Sequence, residues 1–155
     1  MSVRSSILSI FKRQVASSGS SHAWSDYDGN LRCSAKHGLS GATIETDAPI
    51  DNHGLGEAFS PTDLCAGSLG VCMLTILGIV AKKHEVDVGN VKGRVIKEMS
   101  SDLPRRIAKI TIEIEVPLPD DHAKRELIEK EAMSCPVHFS LHPDIKKEVS
   151  WNWIN

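Results

Sequence analysis

The sequence predicts an α+β fold built around one buried helix. Two observations carry this expectation. Leu64–Ala81 runs without a single charge. In Ala108–Val116, Ala108, Ile110, Ile112, Ile114 and Val116 alternate with Lys109, Thr111, Glu113 and Glu115, the period-two pattern of a half-buried strand. The 155 residues are the usual length of one domain. That length buries a core without disulfide staples. A composition of 41% hydrophobic and 25% charged residues is that of a soluble globular protein. A net charge of −2 gives no reason to expect nucleic acid or an anionic membrane as partner.

Residues 1–22 read as a flexible Ser-rich tail, and 23–155 as a single domain. The tail carries Arg4, Lys12 and Arg13 and no acid. The alternative reading is an organellar transit peptide. No secretory signal is visible, so a reducing cytoplasm is expected. Ala23–Tyr27 and Asn30–Ala35 read as two strands joined by Asp28-Gly29, a strong hairpin signal. Gly38 and Gly41 punctuate the next connection, and Ala42–Thr46 reads as a third strand. Pro49, Asp51, Asn52, Gly54 and Gly56 make the following segment a loop.

The long helix has clear start signals. Ser60 is a good N-cap, Pro61 fits the first helical position, and Asp63 sits where a capping-box acid would. Lys82 and Lys83 suit its negative end, so it is expected to stop near Lys83. A helix this apolar is either core or membrane span. Its glycines and the soluble pattern of the rest favour core and exclude a membrane partner. One chain hardly covers it on all sides, so a homodimer is expected. Val91–Met99 and Ala108–Val116 form a hairpin through Ser100–Arg106. A helix follows from Asp120 or Asp121 to Met133, with Ala123, Leu127 and Ile128 inward. Ile145, Val149, Trp151 and Trp153 mark a last strand.

The chemistry rests on cysteine. Cys72 lies in the apolar helix, and Cys135 lies in Ser134-Cys135-Pro136-Val137. A thiolate needs a positive or hydrogen-bonding neighbour to act as a nucleophile. Its attack on a peroxide gives a sulfenic acid, which a second thiol condenses to a disulfide. The bland alternative is two small buried hydrophobes. Cys65 lies two turns from Cys72, about 10 Å along the axis. A disulfide needs Cα atoms within about 7 Å, so an intrahelical bond is excluded. Cys33 reads as structural. Cys135, His138 and His142, joined by Cys72, make a weaker zinc-binding alternative. No cofactor is expected, since Gly54-Leu55-Gly56 lacks the strand–helix context of a phosphate loop.

Ser60-Pro61-Thr62-Asp63-Leu64, Gly70-Val71-Cys72, Pro104-Arg105-Arg106-Ile107 and Cys135-Pro136-Val137, in this order, resemble the OsmC/Ohr family of osmotically inducible and organic-hydroperoxide-resistance proteins. The resemblance covers about residues 23–153. It implies an OsmC-like intertwined homodimer, with antiparallel sheets wrapped around the central helix. It also implies cysteine-based reduction of organic hydroperoxides, with Cys72 as the reactive thiol and Cys135 as the second. The reductant it implies is a dithiol such as a lipoylated protein. Thr62 stands where the best-studied members carry a glutamate, and the turn Lys36–Gly41 lacks their arginine. Arg105 or Arg106, then His37 or Lys36, are the candidates for the positive charge. A non-catalytic protein binding an apolar small molecule is the other reading on the same fold.

Overall fold

Alternation of apolar and polar residues decides where the core lies. The computed structural model describes residues 21–154. The chain forms two compact units that meet in sequence at Ser60 and Pro61. The architecture is mixed α+β, as expected.

The first unit is an antiparallel meander, β1 (Ala23–Gly29), β2 (Arg32–His37) and β3 (Thr43–Asp47), in that order. The expected hairpin turn at Asp28-Gly29 falls slightly later. β1 runs on through Gly29, where the register shifts at a bulge, and Asn30 and Leu31 make the turn. All three residues have positive φ. Gly29 takes this without a Cβ clash, and asparagine tolerates it better than most residues. Little apolar surface is buried here. Among the described residues of this unit the buried side chains are Thr46, Asp47 and Ser60. The Asp47 Oδ2 accepts the Glu57 N–H at 3.0 Å and lies 3.9 Å from the Arg32 guanidinium, which also pairs with Glu57. A buried carboxylate thus fastens the loop that follows β3. That loop includes a 3-10 turn, Ile50–Asn52.

The second unit holds the apolar core. Its elements are α1 (Pro61–Lys83), β4 (Lys92–Met99), β5 (Ile107–Val116), α2 (Arg125–Met133), α3 (Pro136–Ser140) and β6 (Lys146–Trp153). The sheet order is β4-β5-β6. β4 and β5 pair antiparallel, while β5 and β6 pair parallel, so the expectation of antiparallel sheets holds for β1–β3 but not for this sheet. A parallel pair needs a long crossover. Here residues 117–145, with α2 and α3, supply it.

Ile110, Ile112, Ile114 and Val116 are fully buried on one face of β5. Each such side chain contributes about 1.5–3 kcal/mol relative to exposure. Onto that core α1 lays Ala66, Leu69, Met73, Leu77 and Val80, a stripe of helical spacing. The stripe includes Gly70 because a Cβ there would meet Val95 Cγ2 at 2.5 Å. By length and composition α1 could cross a membrane. Its inward stripe instead packs against the core of this unit. The opposite face of the sheet is a lattice of ion pairs. Lys92 meets Glu115, Arg94 meets Glu113, and Lys109 meets both Glu98 and Glu148.

Two expectations need correction. α2 starts at Arg125, not Asp120 or Asp121, because Pro119–Arg125 is taken up by turns. Ala123 is therefore outside the helix and exposed, and Ala132 joins Ile128 as the buried side. The short helix α3 was not expected. It starts at Pro136, whose fixed φ suits a first helical position.

Candidate functional site

Cys72 lies midway along α1, half-buried and packed against the core. Its place is set by the helix, whose neighbouring Gly70 and Met73 face inward. Cys135 lies between α2 and α3 and is fully buried. Proline at 136 disfavours the helical conformation for the residue before it. Cys135 accordingly takes extended angles, φ −69° and ψ 145°, and becomes the N-cap of α3. Its Sγ accepts the His138 backbone N–H at 3.4 Å.

The Cys72 side chain comes close enough to act on the Cys135 thiol, although 63 positions separate them in sequence (135 − 72). Both thiols are free. Burial pushes the Cys135 thiol pKa up. The backbone N–H of His138 works against this, while Cys72 raises it further. The Val137 N–H adds a smaller lowering. No cationic side chain is among the groups acting on Cys135. The arrangement brings together two thiols, one on a rigid helix and one on a bend with hydrogen-bond donors at its sulfur. A thiolate on Cys135 would be received by backbone N–H groups.

The other cysteines are elsewhere. Cys65 is exposed two turns up α1, and Cys33 lies in β2 of the first unit. Arg105 and Arg106 lie in the β4–β5 loop, both exposed. Arg106 grips Asp102 of the same loop with both terminal nitrogens, at 3.0 and 3.1 Å, and the Pro104 carbonyl at 3.0 Å. This contact holds the Asp102 carboxyl below its ordinary pKa. His37 closes β2, and its Nδ1 lies 2.7 Å from Ser40 Oγ in the following turn.

Lys97 is a cation that the sequence did not single out. Its side chain is 14% exposed, and its Nζ lies 2.7 Å from Asp63 Oδ1. It also donates to Thr62 Oγ1 at 2.8 Å. The signal was a lysine on the inward phase of β4, in step with Val95. A cation at the positive end of a helix needs such an anion beside it. Thr62 precedes Cys72 by almost three turns, about 15 Å along the axis, so within one chain Lys97 serves the start of α1 rather than the thiol.

His142 is exposed, with Nδ1 3.6 Å from Asp144 Oδ2. His138 is different: its Nδ1 is buried and has no hydrogen-bond partner among the described residues. The zinc alternative on Cys72, Cys135, His138 and His142 does not assemble. Among the described residues no group of three His, Cys, Asp or Glu side chains is arranged to hold a metal ion.

Comparison with known proteins places the fold in a family. Residues 54–150 match the family model described as OsmC-like protein. A crystal structure from Psychrobacter arcticus, described as an osmotic stress induced and detoxification response protein, is 43% identical. It matches over 89% of this chain and 100% of its own, with a TM-score of 0.80. An organic hydroperoxide resistance protein OsmC from Legionella pneumophila has the same fold at 13% identity, over 88% of this chain and 99% of its own, with a TM-score of 0.71. An organic hydroperoxide resistance protein from Vibrio cholerae, with captopril in one of its active sites, shares it at 16% identity. That match covers 90% of this chain and 96% of the other, with a TM-score of 0.70. No curated protein matches the sequence significantly. The chain belongs to the OsmC-like protein family.

Proposed function

We propose that this member of the OsmC-like family is a thiol-dependent peroxidase that reduces organic hydroperoxides through Cys72 and Cys135. The observation that carries the reading is the nearness of two free thiols, Cys135 in the apolar core and Cys72 packed against it. Cys72 as thiolate attacks the outer peroxide oxygen. The O–O bond breaks, an alcohol leaves, and Cys72 becomes a sulfenic acid. Cys135 then attacks the Cys72 sulfur, and water leaves as the disulfide closes. A dithiol reductant of the lipoyl type restores both thiols. The core residues around the pair favour a hydroperoxide with an apolar body over hydrogen peroxide. The names of the Legionella and Vibrio relatives point the same way.

The active form in this reading is a homodimer. The outward face of α1 still exposes Val71 (66%) and Ile79 (57%), apolar surface in mid-helix that a second copy would cover. The cation that promotes the Cys72 thiolate is sought among Arg105, Arg106 and His37.

The test uses the reduced protein with cumene hydroperoxide and, separately, hydrogen peroxide. Thiol loss is followed by rapid quench. The reading expects loss of two thiols per chain, faster with the organic peroxide by about tenfold or more, a step of ~1.4 kcal/mol in barrier. Thiols that stay inert to both peroxides would overturn it.

A further inference from the structure

Two neighbouring thiols meet an oxidant in the scheme above, but they are also a ligand set. Cys135 is fully buried in the core cluster of its unit. Cys72 packs against that cluster from α1 and comes close enough to act on the Cys135 thiol. Both are free. Among the described residues no third His, Cys, Asp or Glu joins them in a metal-holding group. That count decides which ion fits. Zinc is almost always four-coordinate, and calcium and magnesium take oxygen ligands. Two sulfurs and nothing else suit a soft monovalent d10 ion, which accepts two thiolates in a line. Cu(I) is the biological ion that thiolates select.

We propose that Cys72 and Cys135 form a two-coordinate site for Cu(I). The inference goes beyond the peroxidase reading and uses only the nearness of the two thiols. Each thiol releases its proton to solvent, and each sulfur donates an electron pair to the ion. No electron is transferred, so the copper stays monovalent and the sulfurs stay reduced. Metal–thiolate bonds of about 2.3 Å hold two sulfurs about 4–5 Å apart, a separation ordinary for neighbouring side chains. A disulfide needs about 2.05 Å, so the metal bridge asks less movement of a close-packed core. Two thiolates and one Cu(I) leave a single negative charge, which is costly to bury alone. Cys135 Sγ already accepts the His138 backbone N–H at 3.4 Å, and this bond offsets part of that cost. Bound copper occupies the Cys72 electron pair that attacks peroxide, so the metal and the hydroperoxide exclude each other.

The test titrates the reduced full chain with Cu(I) under argon. The ion is presented as its bicinchoninate complex, whose colour fades as the protein takes the metal. Wild type and the double variant Cys33→Ser/Cys65→Ser should each hold one Cu(I) per chain with the same affinity. Cys72→Ser and Cys135→Ser should bind at least about 100-fold more weakly, beyond the about 10- to 100-fold lost with a group that only supports a ligand. X-ray absorption on the one-to-one complex should show two sulfur neighbours at copper. Iodoacetamide added to the loaded wild type should label Cys33 and Cys65 and spare Cys72 and Cys135. That readout needs no variant and decides the matter if a serine variant does not fold. Copper held equally well by Cys72→Ser and wild type would overturn the proposal. So would protection of Cys33 or Cys65 in place of the pair, or three or more donors at copper. The titration contains no peroxide, so the two readings fail separately. If the thiols stay inert to cumene hydroperoxide while the pair takes copper, the peroxidase reading fails and the metal site stands. If peroxide consumes two thiols per chain while no copper is held, the metal site fails and the peroxidase reading stands.

Discussion

The two three-stranded sheets are held by opposite means. β4–β6 is packed on one face by a continuous apolar core, with Ile110, Ile112 and Ile114 at most 1% exposed. β1–β3 buries almost no hydrocarbon and is fastened by Asp47, Arg32 and Glu57. The residues explain this directly. β5 reads IAKITIEIEV, whereas β1 reads AWSDYDG, with no apolar phase to bury. The lesson is that the thiol pair is anchored in the rigid unit. Cys72 and Cys135 both belong to its core or pack on it, so their spacing is fixed by tight packing rather than by loops.

The difference between the sheets can be broken by mutation. Ile112→Ala should cost about 2–5 kcal/mol by denaturant titration, the usual loss for a buried branched side chain. A cost below about 1 kcal/mol would mean that β5 is not the core strand. Gly70→Ala should cost about 1–3 kcal/mol, since the added Cβ strikes Val95 and pushes α1 from β4. A neutral result would mean that α1 can move off β4 freely. Asp47→Ala should cost about 1–3 kcal/mol, with loss of amide-exchange protection confined to residues 48–59. If protection fell equally across β5, the first sheet would not be held locally.

The effects of pH are smaller and have definite signs. Cys135 has a raised thiol pKa, so the folded chain keeps this proton after the unfolded chain has lost it. Stability of the reduced protein should therefore fall as pH rises above the unfolded value of about 8.5. The slope should vanish in Cys135→Ala, and a slope that persists there would assign it to another group. The smallest effect is expected on the exposed ion-pair face. Hydrogen bonds with Lys146 and Lys109 lower the Glu148 pKa, and those with Glu148 and Glu98 raise the Lys109 pKa. The Glu148 contribution is present above about pH 4.3 and is lost as pH falls through its folded value. The Lys109 contribution is present below about pH 10.4 and is lost as pH rises through its folded value. Both are half-exposed and screened by salt, so Glu148→Gln should hardly move the midpoint at 0.5 M salt.

The sequence was most legible where one period ruled. The uncharged run Leu64–Ala81, with Ser60-Pro61 before it and Lys82-Lys83 after it, marked α1 closely, and the isoleucine alternation marked β5. Turns were less legible. Asp28-Gly29 looked like the hairpin loop, but Gly29 serves as a bulge and Asn30-Leu31 make the turn. α3 was too short to leave a periodic trace. Cys72 and Cys135 were visible as a candidate pair from their settings and from the resemblance, and their nearness needed the folded chain. Lys97 could be set on the inward face of its strand, but its partners Asp63 and Thr62 lie on α1 and needed the folded chain. His138 was seen as a metal-ligand candidate, since sequence spacing does not reveal that its Nδ1 is buried or that its N–H meets Cys135 sulfur.

The most direct test of the thiol pair is disulfide mapping. The reduced full chain is treated with one equivalent of cumene hydroperoxide, blocked with iodoacetamide and digested without reduction for mass spectrometry. The expected product is a single crosslink between the Cys72 and Cys135 peptides, with Cys33 and Cys65 alkylated. Cys135→Ser should leave a sulfenic acid on Cys72 that dimedone traps, and Cys72→Ser should leave the peroxide unconsumed. A crosslink from Cys72 to Cys65 or Cys33, or four alkylated cysteines after peroxide exposure, would contradict the account.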